Sequence, residues 1–149
     1  MGAIIPEIKT RVKVEANTSE IDKCISSIDS AIFAPVIEQL TEIKTKINDG
    51  AEEVADKVSE GLKSCMEMWI IQNKTIDTEQ MINTLFIEPS GQNSYEVGPT
   101  ALSQDGFPYP LVIEMGSKYY PGKPFIEPSV ANISSDINGI VKAEITDKL

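Results

Sequence analysis

Glu52, Asp56 and Glu60 recur at intervals of four, which sets three carboxylates on one face of a helix. Such a row could attract a divalent cation. Calcium, however, needs oxygens wrapped around it by a loop, and a straight helical face makes a poor cage. The row therefore reads as a solvated face, and Glu53 with Lys57 beside it as an ordinary i,i+4 ion pair. The chain contains no histidine. That removes the commonest general base, the usual Ser/His and Cys/His nucleophile pairs, and the commonest transition-metal ligand. Cys24 and Cys65 stand far apart with no metal-binding spacing. Each falls at an apolar position of a helical pattern, which predicts buried free thiols and suits a reducing cytoplasm. Trp69, with Met66 and Met68 nearby, reads as core rather than as the wall of a ligand pocket. Gly116, Gly122 and Gly139 do not make a phosphate-cradling spacing, and neither GxxxxGK[ST] nor GxGxxG occurs. Carboxylate, lysine and tyrosine chemistry remains possible, but no catalytic, cofactor-binding or metal-binding constellation emerges. The expectation is a protein that is not an enzyme and carries no cofactor.

The segment Tyr109–Pro128, YPLVIEMGSKYYPGKPFIEP, holds the most pointed arrangement of residues. Glu114 follows the apolar run Leu111-Val112-Ile113 and precedes Met115-Gly116. A carboxylate in that setting must reach solvent, a helix cap, or a cationic partner on this or a neighbouring subunit. Tyr119-Tyr120 lies in a loop between glycines and prolines. Exposed tyrosines make good interface anchors because they bury much area at low entropic cost. An interface and a structural loop fit the pair equally well.

These residues need a scaffold. At 149 residues the length predicts one domain, 1–149, able to bury a core without metals or disulfides. The net charge of −10 argues against binding nucleic acid by neutralising phosphates. No apolar stretch approaches the roughly 20 residues of a membrane span. The N-terminal MGAIIPEIKTR has no secretion-signal pattern, and Pro6 spoils a myristoylation motif at Gly2. Seven of the nine prolines and seven of the nine aromatic residues lie between Phe86 and Pro128, so the chain changes character partway along.

Residues 8–15 alternate Ile8, Thr10, Val12 and Val14 against polar neighbours, which predicts a half-buried strand. Asn17-Thr18-Ser19 then offers N-cap oxygens, with Glu20 and Asp22 in the following turn. Ile21, Ile25, Ile28, Ile32, Leu40, Ile43 and Ile47 form an apolar stripe at helical spacing across a helical region 19–72. Pro35 inside it predicts a kink or break near Ala34. Asn48-Asp49-Gly50 suggests a stop or hinge, so one long bent helix and two helices both remain open. Ala51, Val54, Ala55, Val58, Leu62, Cys65, Met66 and Trp69 supply the next inner face. The stripe suits intramolecular packing better than a coiled coil. Thr75–Leu85 reads as a short helix. Phe86–Glu88 and Tyr95–Gly98 read as short strands joined through Pro89–Asn93, and Thr100–Pro110 as a loop. Leu111–Met115 fits either a short strand or a helical turn. Helical spacing resumes through Val130, Ile133, Ile137, Ile140, Val141 and Ile145, giving a C-terminal helix over about 130–146.

Three segments, in order, resemble the neck-protein family of long-tailed phages, whose members join head to tail or serve as minor tail components. Ile76-Asp77-Thr78-Glu79-Gln80-Met81-Ile82-Asn83-Thr84-Leu85 is similar to that family's (V/I)DTGxLxxS(I/L) helix. Tyr95-Glu96-Val97-Gly98-Pro99 matches its VGP strand. Tyr109…Val112-Ile113-Glu114-Met115-Gly116-Ser117 followed by Lys123-Pro124-Phe125-Ile126-Glu127-Pro128-Ser129 matches its YxxxxEFGT…PFLxPA block. The likeness covers residues 76–130. Glu79 departs from the family's glycine, Met115 from its aromatic residue and Ser129 from its alanine.

The resemblance implies an α+β fold, with the long N-terminal helical region and the C-terminal helix packed on a small, mostly antiparallel sheet. It implies a structural virion protein at the neck, forming a homo-oligomeric ring of six or twelve copies that joins the head connector to the tail. Its neighbours would be a head-completion or connector protein and a tail-terminator or tail-tube protein, with no membrane. DNA would pass through the lumen without specific binding, and an acidic lumen would let it slide. On this reading Tyr109–Pro128 and the Ser90–Pro110 loop make subunit contacts, with Glu114, Tyr119, Tyr120, Phe125 and Tyr109 as interface candidates. Two rival readings are a tail-terminator ring and a non-enzymatic assembly chaperone or helical binding module.

Overall fold

The computed structural model describes residues 9–103 and 106–149. The readings of the N-terminal segment, and of Ile8 and Asp105, lie outside the described residues. Thr10–Lys13 forms β1; Ser19–Ser27 and Ser30–Asn73 form α1 and α2. Thr78–Asn83 is α3, Leu85–Gly91 and Ser94–Pro99 are β2 and β3, and Pro110–Met115 and Ile126–Glu144 are α4 and α5. A 3-10 turn at Thr146–Lys148 follows. The fold is α+β, with the sheet and both long helices packed together.

The helical region resolves into a short helix and one of 44 residues. Asp29 starts the long helix by accepting a hydrogen bond from the Ala31 N–H at 3.0 Å. The helix bends at Phe33 (φ −116°, ψ 31°), two residues before Pro35, where the proline ring disturbs the preceding turn. Of the two arrangements left open at Asn48–Gly50, the structure takes the continuous one: α2 runs through it without a stop. Gly50 is buried there because α5 crosses at that point. A Cβ on Gly50 would collide with Ile145 Cγ1 and sit 2.9 Å from the Glu144 carbonyl. Three turns along, a Cβ on Gly61 would lie 2.5 Å from Ile133 Cδ1. The two glycines let α2 and α5 approach closely along antiparallel axes, with Gly50 near the end of α5 and Gly61 near its start. The glycine marks close packing, not termination.

The buried face of α2 is Ala51, Val54, Ala55, Val58, Leu62, Met66 and Ile70. Steps of three and four keep these on one stripe. Ile70 replaces Trp69 at the centre, and both Trp69 and Cys65 sit half-buried at its margin. Against this stripe pack Met81 of α3, Leu85 and Val97 of the sheet, Ile113 of α4, and Phe125 and Ile133. The first half of α2 is different. α1 buries no residue, and the predicted stripe from Ile21 to Ile47 is half-buried or exposed, with Ile32 at 69%. A pattern can supply an apolar face without supplying its cover. For the same reason Cys24 is exposed rather than buried as expected, while Cys65 is only half-buried because it lies at the margin of the α2 core stripe. An ion pair from Lys44 to Asp22 at 2.6 Å ties α1 to α2.

The sheet is antiparallel in the order β1-β3-β2. Thr10 faces Val97, Val12 faces Tyr95, and Ile87 faces Val97 from the other side. β2 extends into the predicted turn as far as Gly91, with a bulge between Pro89 and Gly91. The reversal itself is Gln92-Asn93, and Asn93 adopts the left-handed conformation that such a tight turn requires. Pro110 at the first helical position makes Leu111–Met115 a helical turn rather than a strand.

Candidate functional site

The segment 109–128 folds back on itself. α4 ends at Gly116, which takes φ +80°. That region is open to glycine, and here space demands glycine as well: a Cβ would lie 2.7 Å from the Gly122 backbone nitrogen. Gly122 is pinned reciprocally, since its Cβ would meet Gly116 N and Met115 C at 3.0 Å. The two backbones therefore cross in contact. The Ser117 N–H donates to the Tyr120 carbonyl at 2.8 Å and the Lys123 N–H to the Ile113 carbonyl at 2.7 Å, closing the crossing on both sides. Residues 117–121 are left as a small tied loop.

Glu114 locks the base of that loop. Its Oε2 accepts hydrogen bonds from the N–H groups of Phe125 at 2.7 Å and Ile126 at 3.0 Å, and its Oε1 from Glu127 at 2.9 Å. The carboxylate thus satisfies the orphan amides of the first turn of α5, where the helix dipole favours an anion. Phe125 at the N-cap position offers no side-chain acceptor of its own, so the cap comes from a different helix. Of the alternatives open for Glu114, the carboxylate occupies the helix-cap one.

The five candidate residues end up in different places. Phe125 is completely buried in the core, so its ring has no surface to give a neighbour; the expectation that it anchors a subunit contact is corrected on that ground. Tyr120 is half-buried against the same core, and its hydroxyl is enclosed without a hydrogen-bond partner among the described residues. Tyr109, at the start of α4, is half-buried, and its hydroxyl donates to Gln80 Oε1 at 3.2 Å. Burial, and then the charge of Asp77, raise the Tyr109 phenol above its ordinary pKa, so it stays a neutral donor. Tyr119 projects from the tip of the loop at 88% exposure, with the Lys118 ammonium 5.4 Å from its ring centroid. Met115 is exposed as well. The fold therefore presents Tyr119 and Met115 and withdraws Glu114 and Phe125.

Several supporting residues were not singled out in the sequence. Gln80 bridges α3 to the loop before α4, donating from Nε2 to the Leu102 carbonyl at 3.0 Å while accepting from Tyr109. Asn73, in the last turn of α2, donates to the Pro124 carbonyl at 2.9 Å. Ser129 donates to the Phe125 carbonyl inside the core. Each contact joins residues far apart in the chain or adjacent on a helix, where spacing gives no signal. Beneath the loop, Trp69, Asn73, Lys123, Pro124, Glu127 and Pro128 line an open groove of about 560 Å³.

Among the described residues no group of three or more His, Cys, Asp or Glu side chains could hold a metal ion. Glu52 and Glu60 are exposed and Asp56 half-buried along α2. Burial, and secondarily Asp136, push the Cys65 thiol above its ordinary pKa, which disfavours the nucleophilic thiolate. No described helix is long and apolar enough to cross a membrane. The chain matches no protein-family model, no curated protein and no solved structure.

Proposed function

We propose that this chain is a non-enzymatic structural protein of a tailed-phage particle, one that assembles into a ring at the neck and joins the head connector to the tail. The observation that carries the reading is the tied loop 117–121. It sits within the block that resembles the neck-protein family, and it holds Tyr119 out from a base fixed by Glu114 and by the Gly116–Gly122 crossing. A preordered aromatic anchor lowers the entropic cost of a subunit contact, as a multi-copy ring requires. The net charge of −10 suits a lumen through which DNA slides without sticking.

A tail-terminator ring draws on the same features. A helical binding module or assembly chaperone has a separate support in the exposed Ile32, Phe33 and Val36 of α2. Electron microscopy of lysates from a virus with an early stop codon in this gene separates the readings. Filled heads apart from finished tails support the neck ring, and tails of uncontrolled length point to termination. Normal infectious particles refute both.

A further inference from the structure

The two edges of the sheet carry opposite charge. On the face of β1 away from Val12 stand Arg11 and Lys13, with Lys9 just before the strand; all three are exposed, and Lys13 Nζ already pairs with Glu15 Oε1 at 2.8 Å. β2 presents Glu88 on the corresponding face, also exposed. In the register of the sheet Arg11, Glu96 and Glu88 form one row across β1, β3 and β2. Glu96 and Glu88 are thus directly opposite, an unfavourable like-charge pairing.

Glu96 is compensated. Arg11 Nη2 lies 3.3 Å from its Oε1 and Lys9 Nζ 3.6 Å from its Oε2. The Lys9 ammonium also lies 5.6 Å from the Phe86 ring centroid, reaching across Gly98 in the strand between. Glu88 has no ion-pair partner among the described residues. It stands on an outer edge where a fourth strand would place a side chain beside it. Among the described residues no strand pairs with the outer edge of β1 or of β2. Like edges repel, since β1 against β1 opposes cations and β2 against β2 opposes carboxylates. Only β2 against β1 is complementary, and that contact is head to tail.

We propose that the outer edge of β2 docks against the outer edge of β1 in a second copy of this chain, continuing the sheet from one subunit to the next. The inference rests on the self-assembly reading above and names the surfaces that perform it. Residues 85–88 supply the usable part of β2, because Pro89 lacks an N–H and the bulge after it ends the regular ladder. Both edge strands run antiparallel to β3 and hence parallel to each other. A rotation about an axis along the strands therefore brings β1 of the next copy alongside β2. Glu88 then lies among the neighbouring cations, which relieves its repulsion from Glu96.

The test is sedimentation velocity on the full chain, with thermal melts to show that each variant folds. Glu88→Lys alone should weaken self-association at least tenfold, and so should the pair Arg11→Gln and Lys13→Glu. Each variant keeps one native edge, and the two altered edges are themselves opposite in charge, so an equimolar mixture of the two should recover the association that neither shows alone. If the wild-type chain associates and the variants associate equally well, the edges are not the contact, although the self-assembly reading stands. If the variants are weakened but their mixture stays monomeric, the contact is not head to tail and the proposal fails. A wild-type chain still monomeric at about 1 mM overturns it too, and the stop-codon lysates then report on the neck reading separately.

Discussion

Replacing Glu114 by glutamine tests the central joint of the 109–128 segment. The carboxylate accepts three backbone N–H groups across α4 and α5. Glutamine preserves the shape but offers one acceptor oxygen. With that oxygen on Glu127, the new amide group faces the N–H donors of Phe125 and Ile126 and leaves both without an acceptor. An orphaned buried donor costs about 1–3 kcal/mol. Losing the negative charge at the helix start removes roughly 0.3–1 kcal/mol more. Glu114 is only half-buried, and water can satisfy part of the deficit, so a total of about 2–3 kcal/mol is expected. An unfolding entropy near 2.1 cal/mol/K per residue converts that loss to a fall in Tm of about 6–10 °C. Thermal and urea melts followed by circular dichroism measure it, with Glu67→Gln on the exposed face of α2 as the control. Amide exchange should accelerate first at Phe125, Ile126 and Glu127. A Glu114→Gln chain that melts within about 1 °C of wild type would refute the capping argument and return Glu114 to the list of subunit-contact residues.

Gly50→Ala and Gly139→Ala should move stability in opposite directions although both lie inside helices. Gly139 has nothing within 4 Å of a new Cβ, so alanine there gains about 1 kcal/mol, whereas at Gly50 the collision with Ile145 and the Glu144 carbonyl makes it a net loss in the same melts. Gly116→Ala combines a φ of +80° with the Gly122 backbone and should lose about 2–3 kcal/mol. Tyr119→Ala should leave Tm unchanged, because the ring is exposed, yet reduce incorporation into particles severalfold; wild-type yields of infectious virus would remove Tyr119 from the contact. A thiol reagent near pH 8 should label the exposed Cys24 first. Cys65 should lag, and gain speed only as pH climbs toward its raised pKa, because burial and Asp136 hold it protonated; equal rates at both thiols would contradict this.

Local signals made the elements legible and left their partners hidden. Pro35 announced the bend in α2, and the alternation around Val12 announced β1, because sterics and pleat act within a few residues. Gly50 left a stop and a continuous helix equally open, because glycine ends helices and also lets them touch. Only the position of Ile145, almost a hundred residues later, decides between the two. Glu114 could be recognised as a carboxylate needing a partner, but its partners are backbone amides beyond a loop, and no side-chain pattern encodes them. Phe125 entered as an anchor through the resemblance of its segment to the neck-protein family, which carries no information on which way the ring faces. Whether such a ring faces in or out depends on the path of the crossing at Gly116 and Gly122.

At 1.5 Å per residue the 44-residue α2 is about 66 Å long, and its buried stretch begins only at Gly50. The twenty residues ahead of Gly50 extend about 30 Å from that point, carrying α1 with them. Gly50, held by Ile145, therefore sits where a fulcrum would. A tilt of about 5° there displaces the far end by roughly 3 Å, nearly the width of an atom. Small adjustments in the core are thus amplified at a tip that bears the exposed Ile32 and Phe33.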